Sequence, residues 1–96
     1  MPGVIVGAMS DVENIENKRK RLIFRSMHRG TKEMDLILGS FARTHVPGFS
    51  EDDLAIYDQL LECADPDLYN WITGVEVVPA NMMNGVMEKL LIHKIL

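Results

Sequence analysis

Arg29, Gly30 and Glu33 place an arginine and a glutamate four positions apart around a glycine. Side chains of opposite charge can form charge-assisted hydrogen bonds, either with each other or with a binding partner. A glycine that follows a helix typically adopts the left-handed conformation, so we expect Gly30 at the C′ position of one helix. Thr31 can cap the next helix and place Glu33 in its first turn, where the helix dipole favours an acid. The sequence thus predicts a tight helix–helix corner from which Arg29 and Glu33 face water.

From its spacing alone, this corner is more simply a structural turn than a binding site. A capped turn with an exposed ion pair between Arg29 and Glu33 would contribute about 0.2–1 kcal/mol to stability. A binding role needs support from elsewhere in the chain.

Other reactive side chains do not assemble into a recognisable catalytic or metal site. The three histidines are scattered, and neither a His-x-x-x-His nor a Cys-x-x-Cys spacing occurs, so we expect no metal. The glycines form no phosphate-binding loop. Cys63 lies on an apolar stripe and is expected to be a packed thiol rather than a nucleophile. Trp71 is most simply a core residue, although a partly exposed tryptophan beside Asp67 and Tyr69 would make a good interface hot spot.

Composition indicates one acidic domain. The chain has 96 residues, 47% of them hydrophobic, and a net charge of −4, which argues against a nucleic-acid-binding face over the whole surface. A single cysteine excludes an internal disulfide. No apolar run approaches the length of a membrane span, and the apolar first nine residues lack the basic flank of a signal peptide. We therefore expect a cytoplasmic protein that does not insert into a membrane.

Hydrophobic periodicity predicts five helices and no strand pair. The first runs from about residue 12 to the corner, with a basic cluster between Lys18 and Arg25 that is either a solvated face or a surface that steers an acidic partner. The second should end before Pro47. Its apolar residues recur at the spacing of one buried helical face: Met34, Ile37, Leu38, Phe41 and Ala42.

Capping signals position the remaining three helices. Ser50 should cap the third helix, and Asp65 the fourth, with Pro66 at its first position. Gly74 should end the fourth helix, and Pro79 can open the fifth. The predicted fold is all-α, a compact five-helix, bundle-like single domain over residues 13–96, preceded by a flexible tail at residues 1–12.

Two stretches together resemble a known family. Arg29-Gly30-x-x-Glu33-Met34-Asp35 is a weak match by itself. The second stretch, residues 60–71, reads Leu-Leu-Glu-Cys-Ala-Asp-Pro-Asp-Leu-Tyr-Asn-Trp. At this separation the pair resembles the succinate dehydrogenase flavinylation factors, which are small bacterial and mitochondrial assembly factors, and the resemblance covers about residues 17–95.

The resemblance implies a binding role without catalysis. Members bind the flavoprotein subunit of succinate dehydrogenase, or of fumarate reductase in some bacteria, and promote covalent attachment of FAD to a histidine of that subunit. Because the flavoprotein is thought to form the bond itself, we expect no enzyme activity, no catalytic residue and no cofactor held by this chain, which we expect to be a monomer. Arg29, Gly30 and Glu33 would lie at the partner interface. The full expected partner-binding set is Arg25, His28, Arg29, Gly30, Glu33, Asp35, Asp67 and Trp71.

Two alternatives remain open at this point. Small acidic helical domains are often regulatory proteins of the antitoxin type, which would bind a toxin instead of a flavoprotein. A small enzyme that uses Glu33 with a histidine would need a concave pocket with a perturbed titratable pair. The chain also departs from the family at His28, where many members carry a second arginine, so the charge beside the motif should depend on pH.

Overall fold

The computed structural model describes residues 13–93, and five α-helices with two short 3-10 turns account for its regular structure. The helices are α1 (Ile15–Met27), α2 (Lys32–His45), α3 (Glu51–Leu60), α4 (Asp65–Ile72) and α5 (Gly85–Ile92). The 3-10 turns, Val46–Gly48 and Ala80–Met82, follow α2 and precede α5. No strand occurs in this range, so the predicted all-α, five-helix fold is confirmed. The predicted flexible tail, residues 1–12, lies outside the described residues.

Two helix starts follow their capping signals. The Thr31 hydroxyl accepts a hydrogen bond from the Met34 N–H at 3.2 Å, and the Ser50 hydroxyl accepts one from the Asp53 N–H at 3.1 Å. Each satisfies one of the N–H groups that the first turn of a helix leaves unpaired. The cap at Thr31 fixes where α2 begins, and with it the position of Glu33 one residue further on.

Two other starts, those of α4 and α5, differ from expectation. Asp65 does not cap α4; the cap position is Ala64, and Asp65 is the first helical residue. The predicted opening of α5 at Pro79 is also wrong, because Pro79 precedes the 3-10 turn. α5 begins at Gly85, and the Asn84 side chain accepts from the Met87 N–H at 2.8 Å.

Backbone conformation at the corner also corrects the prediction. α1 ends at Met27, and within residues 13–93 the only glycine with a positive φ is Gly74, at +81°. Gly74 thus ends α4 in the expected left-handed conformation, whereas Gly30 does not adopt it. The need for a glycine at position 30 therefore comes from its surroundings and not from its φ angle.

α2 supplies much of the core. Leu38, Phe41 and Ala42 on its inner face are fully buried, in agreement with the predicted stripe. The core continues through the first turn of α2, the other four helices and the connections between them: Leu22, Met34, Val46, Phe49, Leu54, Tyr57, Leu60, Leu61, Leu68, Val86, Met87 and Leu90. Within residues 13–93, no helix is long and apolar enough to cross a membrane.

One polar pair lies inside this core. The hydroxyls of Ser26 on α1 and Tyr57 on α3 are 2.6 Å apart, and both residues are fully buried. The Ser26 hydroxyl also donates to the Leu22 carbonyl at 2.7 Å, which leaves its oxygen to accept from the Tyr57 phenol. Burial raises the pKa of Tyr57 to about 12, because the phenolate would lose its hydration. The pair joins α1 to α3 beneath the corner.

Candidate functional site

Arg29 points into the protein and not into water. Its side chain is 11% exposed, and its Nε and Nη2 lie 2.9 and 2.8 Å from Oδ1 of Asp65. Nη1 and Nη2 also donate to the carbonyls of Leu61 and Cys63, at 3.0 and 3.3 Å. The guanidinium therefore binds two backbone carbonyls of the connection between α3 and α4, together with the first residue of α4. The expected exposed ion pair between Arg29 and Glu33 is wrong, because Asp65 and these carbonyls take the donors of Arg29.

Asp65 binds the corner through both of its oxygens. While Oδ1 faces Arg29, Oδ2 accepts a hydrogen bond from the Gly30 N–H at 2.8 Å. On the other side of the corner, the Arg29 N–H donates to Oδ1 of Asp35 on α2. The carboxylates of Asp35 and Asp65 thus hold the backbone between α1 and α2. We call these four residues, Arg29, Gly30, Asp35 and Asp65, the corner clamp.

Close approach to Asp65 explains Gly30. A Cβ added at Gly30 would lie 3.2 Å from Oδ2 of Asp65, closer than most side-chain contacts. Because Oδ2 already accepts from the Gly30 N–H and Oδ1 faces Arg29, the carboxylate has little freedom to move away. The glycine is needed so that the corner backbone can approach α4.

Glu33 is the acid that the corner leaves exposed. It lies in the first turn of α2, and its carboxylate takes part in no ion pair within residues 13–93. His28 is also exposed; its ring stacks on Phe24 with centroids 4.1 Å apart, and its Nδ1 lies 2.9 Å from the Phe24 carbonyl. Phe24 itself is 62% exposed. The outer surface of the corner therefore combines one free carboxylate with an imidazole–aromatic pair.

Arg25 contacts α3. It donates to Asp58 at 3.0 Å and to Glu62 at 2.7 Å, and Arg21 reaches the other oxygen of Asp58 at 3.0 Å. The Arg21 hydrogen bond, against a smaller opposing effect of burial, holds the pKa of Asp58 below its usual value. This part of the basic cluster is thus paired with Asp58 on α3 and with Glu62 just after it, so part of its positive charge is matched within the chain.

The other two predicted partner-binding residues lie on α4. Asp67 is exposed, whereas Trp71 is half-buried against the core. Trp71 is therefore a core residue with a partly accessible ring. Its role as an interface hot spot stays a prediction.

Two grooves meet at the corner clamp. The first, about 360 Å³, lies between α2 and α4. The second, about 600 Å³, is shallow and runs beside the end of α3. Thr31, Asp65 and Pro66 line both. Of the expected partner-binding residues, His28, Arg29, Gly30 and Glu33 line one groove or the other, whereas Arg25, Asp35, Asp67 and Trp71 line neither.

Asp65 is the site residue that sequence reasoning placed in the wrong role. Its position before Pro66 predicts a helix cap, which locates the start of α4 to within one residue. The same carboxylate instead faces residues 29 and 30, more than thirty positions away. The sequence holds one weak signal for this contact. Apart from Glu33, Arg29 has no acid at helical spacing, which leaves room for a partner that is distant in the chain.

Comparisons with known proteins agree with the two motifs. A family described as "Flavinator of succinate dehydrogenase" matches residues 20–94. A protein of Dictyostelium discoideum named "Succinate dehydrogenase assembly factor 2, mitochondrial" is 39% identical over 84 residues, which cover 88% of this chain and 60% of that protein. A protein of the same name in Debaryomyces hansenii is 42% identical over 82 residues, which cover 82% of this chain and 58% of that protein. The chain thus spans somewhat over half the length of these relatives.

Proposed function

Since the chain belongs to the family of flavinators of succinate dehydrogenase, as its two motifs predicted, we propose that it is an assembly factor for this enzyme. It binds the flavoprotein subunit and promotes covalent attachment of FAD to that subunit. The flavoprotein of fumarate reductase is a second client of the same kind. The names of the relatives support the assembly role and favour it over an antitoxin or an enzyme.

One structural observation supports a contact role for the corner. Its backbone is held from inside by the corner clamp, while Glu33 is left exposed and without an ion-pair partner in the described range. A rigid, preorganised surface loses little conformational entropy on binding. In this proposal Glu33 and the Gly30 backbone contact the flavoprotein, and Arg29 acts indirectly by holding them in place.

The factor acts without chemistry of its own. A protein that binds one conformation of a partner more tightly than another shifts the partner towards that conformation. We propose that this chain, as a monomer, favours the flavoprotein conformation in which FAD and its attachment site are aligned. The flavoprotein then forms the bond itself. A cytoplasmic location also stays a prediction, since the relatives named above are described as mitochondrial.

Co-expression with a succinate dehydrogenase flavoprotein subunit tests the proposal. Covalent flavin is measured by in-gel fluorescence after denaturation, with and without this chain. We expect Glu33→Ala to lower covalent flavin severalfold while its Tm falls by at most about 4–8 °C, since loss of a first-turn acid costs about 0.3–1 kcal/mol.

Glu51→Ala is the matched control. Glu51 is an exposed acid in the first turn of α3, so this variant loses the same helix-dipole interaction away from the corner. We expect it to retain full flavin attachment. Wild-type attachment that is independent of this chain would refute the assembly role, whereas normal attachment with Glu33→Ala would refute the corner as the contact surface.

A further inference from the structure

We propose that the groove between α2 and α4 receives an arginine side chain of the protein partner. We call it the α2–α4 groove, and it is lined by Thr31, Glu33, Met34, Asp65, Pro66 and Tyr69. The identity of the partner rests on the proposed function, but the chemistry of the groove does not. Its volume of about 360 Å³ is at the small end for ligand sites, which suits a single side chain better than a whole helix.

The walls of the groove are mainly apolar. Met34 is almost fully buried, Pro66 is exposed at the start of α4, and Tyr69 is 41% exposed one turn further along. An aromatic ring beside an apolar wall can pack against the methylene stem of a long side chain and stack on a flat cation. Arginine and lysine both offer such a stem, but only the guanidinium of arginine is planar.

The charges on the groove favour a cation. The carboxylate of Asp65 is already bound to Arg29 and Gly30, so its negative charge is largely compensated. Glu33 is exposed and forms no ion pair with any residue between 13 and 93, which leaves one uncompensated carboxylate on the groove. A planar guanidinium can bind this carboxylate through two hydrogen bonds while stacking on Tyr69.

A bound anion is disfavoured here although α2 and α4 both begin beside the groove. The partial positive charge at the start of α2 is met by the Thr31 cap and by two first-turn acids, and α4 carries two more acids in its first turn. An anion would also lie next to the carboxylates of Glu33 and Asp65. Lys32, the cation adjacent in sequence, does not line the groove.

A titration of the full chain with small probes tests this inference without any flavoprotein. Backbone amide NMR shifts are followed while N-acetyl-arginine amide is added, and the experiment is repeated with the citrulline analogue, which has nearly the same shape but no charge. We expect the arginine probe to shift the amides of Thr31, Glu33, Met34 and Tyr69. The citrulline probe should bind about two- to fivefold more weakly, which is the range expected for one exposed charge contact.

Two variants assign the effect to the groove. Glu33→Gln should abolish the preference for arginine over citrulline, and the control Glu51→Gln on α3 should retain it. Equal shifts with both probes, an unchanged preference in Glu33→Gln, or no shifts at the groove would overturn the proposal. Tighter binding of N-acetyl-lysine amide would replace arginine with lysine, and groove shifts with acetate would show an anion site instead. These probes involve no flavoprotein, so a negative titration would not affect the proposed assembly role. Conversely, a failed flavin-attachment experiment would not affect the arginine preference of the groove.

Discussion

The corner clamp predicts that Asp65, which does not belong to the Arg-Gly-x-x-Glu motif, is the acid on which the motif depends. Asp65→Ala removes the carboxylate that faces two nitrogens of Arg29 and accepts the Gly30 N–H. The guanidinium would then remain largely buried without its counter-charge. We expect a clear loss of stability even though the substitution places alanine, the best helix former, at the start of α4.

The magnitude follows from burial. Breaking a fully buried ion pair by removing one partner costs about 3–5 kcal/mol, and a hydrogen bond to a charged group contributes about 1.5–3 kcal/mol. The side chains of Arg29 and Asp65 are 11% and 18% exposed, so water compensates part of the loss. Arg29 also keeps the carbonyls of Leu61 and Cys63. We therefore expect the free energy of unfolding to fall by about 2–3 kcal/mol, a large share of the 5–15 kcal/mol typical of a small domain.

Urea unfolding followed by circular dichroism measures this change. Asp67→Ala is the matched control, because Asp67 is exposed in the same first turn of α4 and takes part in no ion pair within the described residues. It should cost about 0.3–1 kcal/mol, through the helix dipole alone. The double variant Arg29→Ala/Asp65→Ala should lose less stability than the two single variants together. We expect the difference to be on the order of 1 kcal/mol. Equal losses for Asp65→Ala and Asp67→Ala, or strictly additive effects in the double variant, would refute the clamp.

Two further predictions concern the glycine at the corner and the buried phenol. Gly30→Ala should destabilise the fold by about 1 kcal/mol, because the new Cβ meets Asp65. Gly48→Ala is the control: a Cβ there meets open space, so this variant should be neutral or more stable by up to about 1 kcal/mol. Equal urea midpoints for the two variants would contradict the prediction. The folded-state pKa of Tyr57, about 12 against an ordinary 10.0, means that the unfolded chain loses this proton first as the pH rises. The stabilisation is therefore complete below pH 10 and is lost towards pH 12, by about 1.4 kcal/mol per pH unit at most. Urea unfolding at pH 9 and 11 should show a smaller loss for Tyr57→Phe than for the wild type, and parallel losses would show that the phenol does not contribute.

Local signals in the sequence account for most of the secondary structure. The apolar spacing of α2, the caps at Thr31 and Ser50 and the stop at Gly74 all depend on residues within one turn of each other. Such interactions keep their meaning whatever the rest of the chain does. The start of α5 was misplaced because Pro79 is equally compatible with a 3-10 turn, and the competing Asn84 cap is just as local.

The interaction partners of the charged residues could not be predicted in this way. The spacing of Arg29 and Glu33 fits an ion pair, but the acid that Arg29 binds is 36 positions away. Likewise Arg25, in the basic cluster of α1, finds its counter-charges at Asp58 on α3 and at Glu62 just after it. A long flexible side chain binds whichever acceptors the packing of helices brings within reach, and periodicity carries no information about them.

The sequence by itself determined the helical class, most helix boundaries and, through two motifs, the family. Each of these depends on residue type and on near-neighbour spacing, which the chain carries before it folds. Only the tertiary structure decided which side chains of the Arg-Gly-x-x-Glu corner are buried and which face solvent. Packing of α4 against the corner turned Arg29 inward, gave Asp65 its role and made Gly30 necessary at a negative φ, while Glu33 was left exposed beside a groove. These outcomes arise from contacts between residues far apart in the chain, so they exist only once the helices have packed.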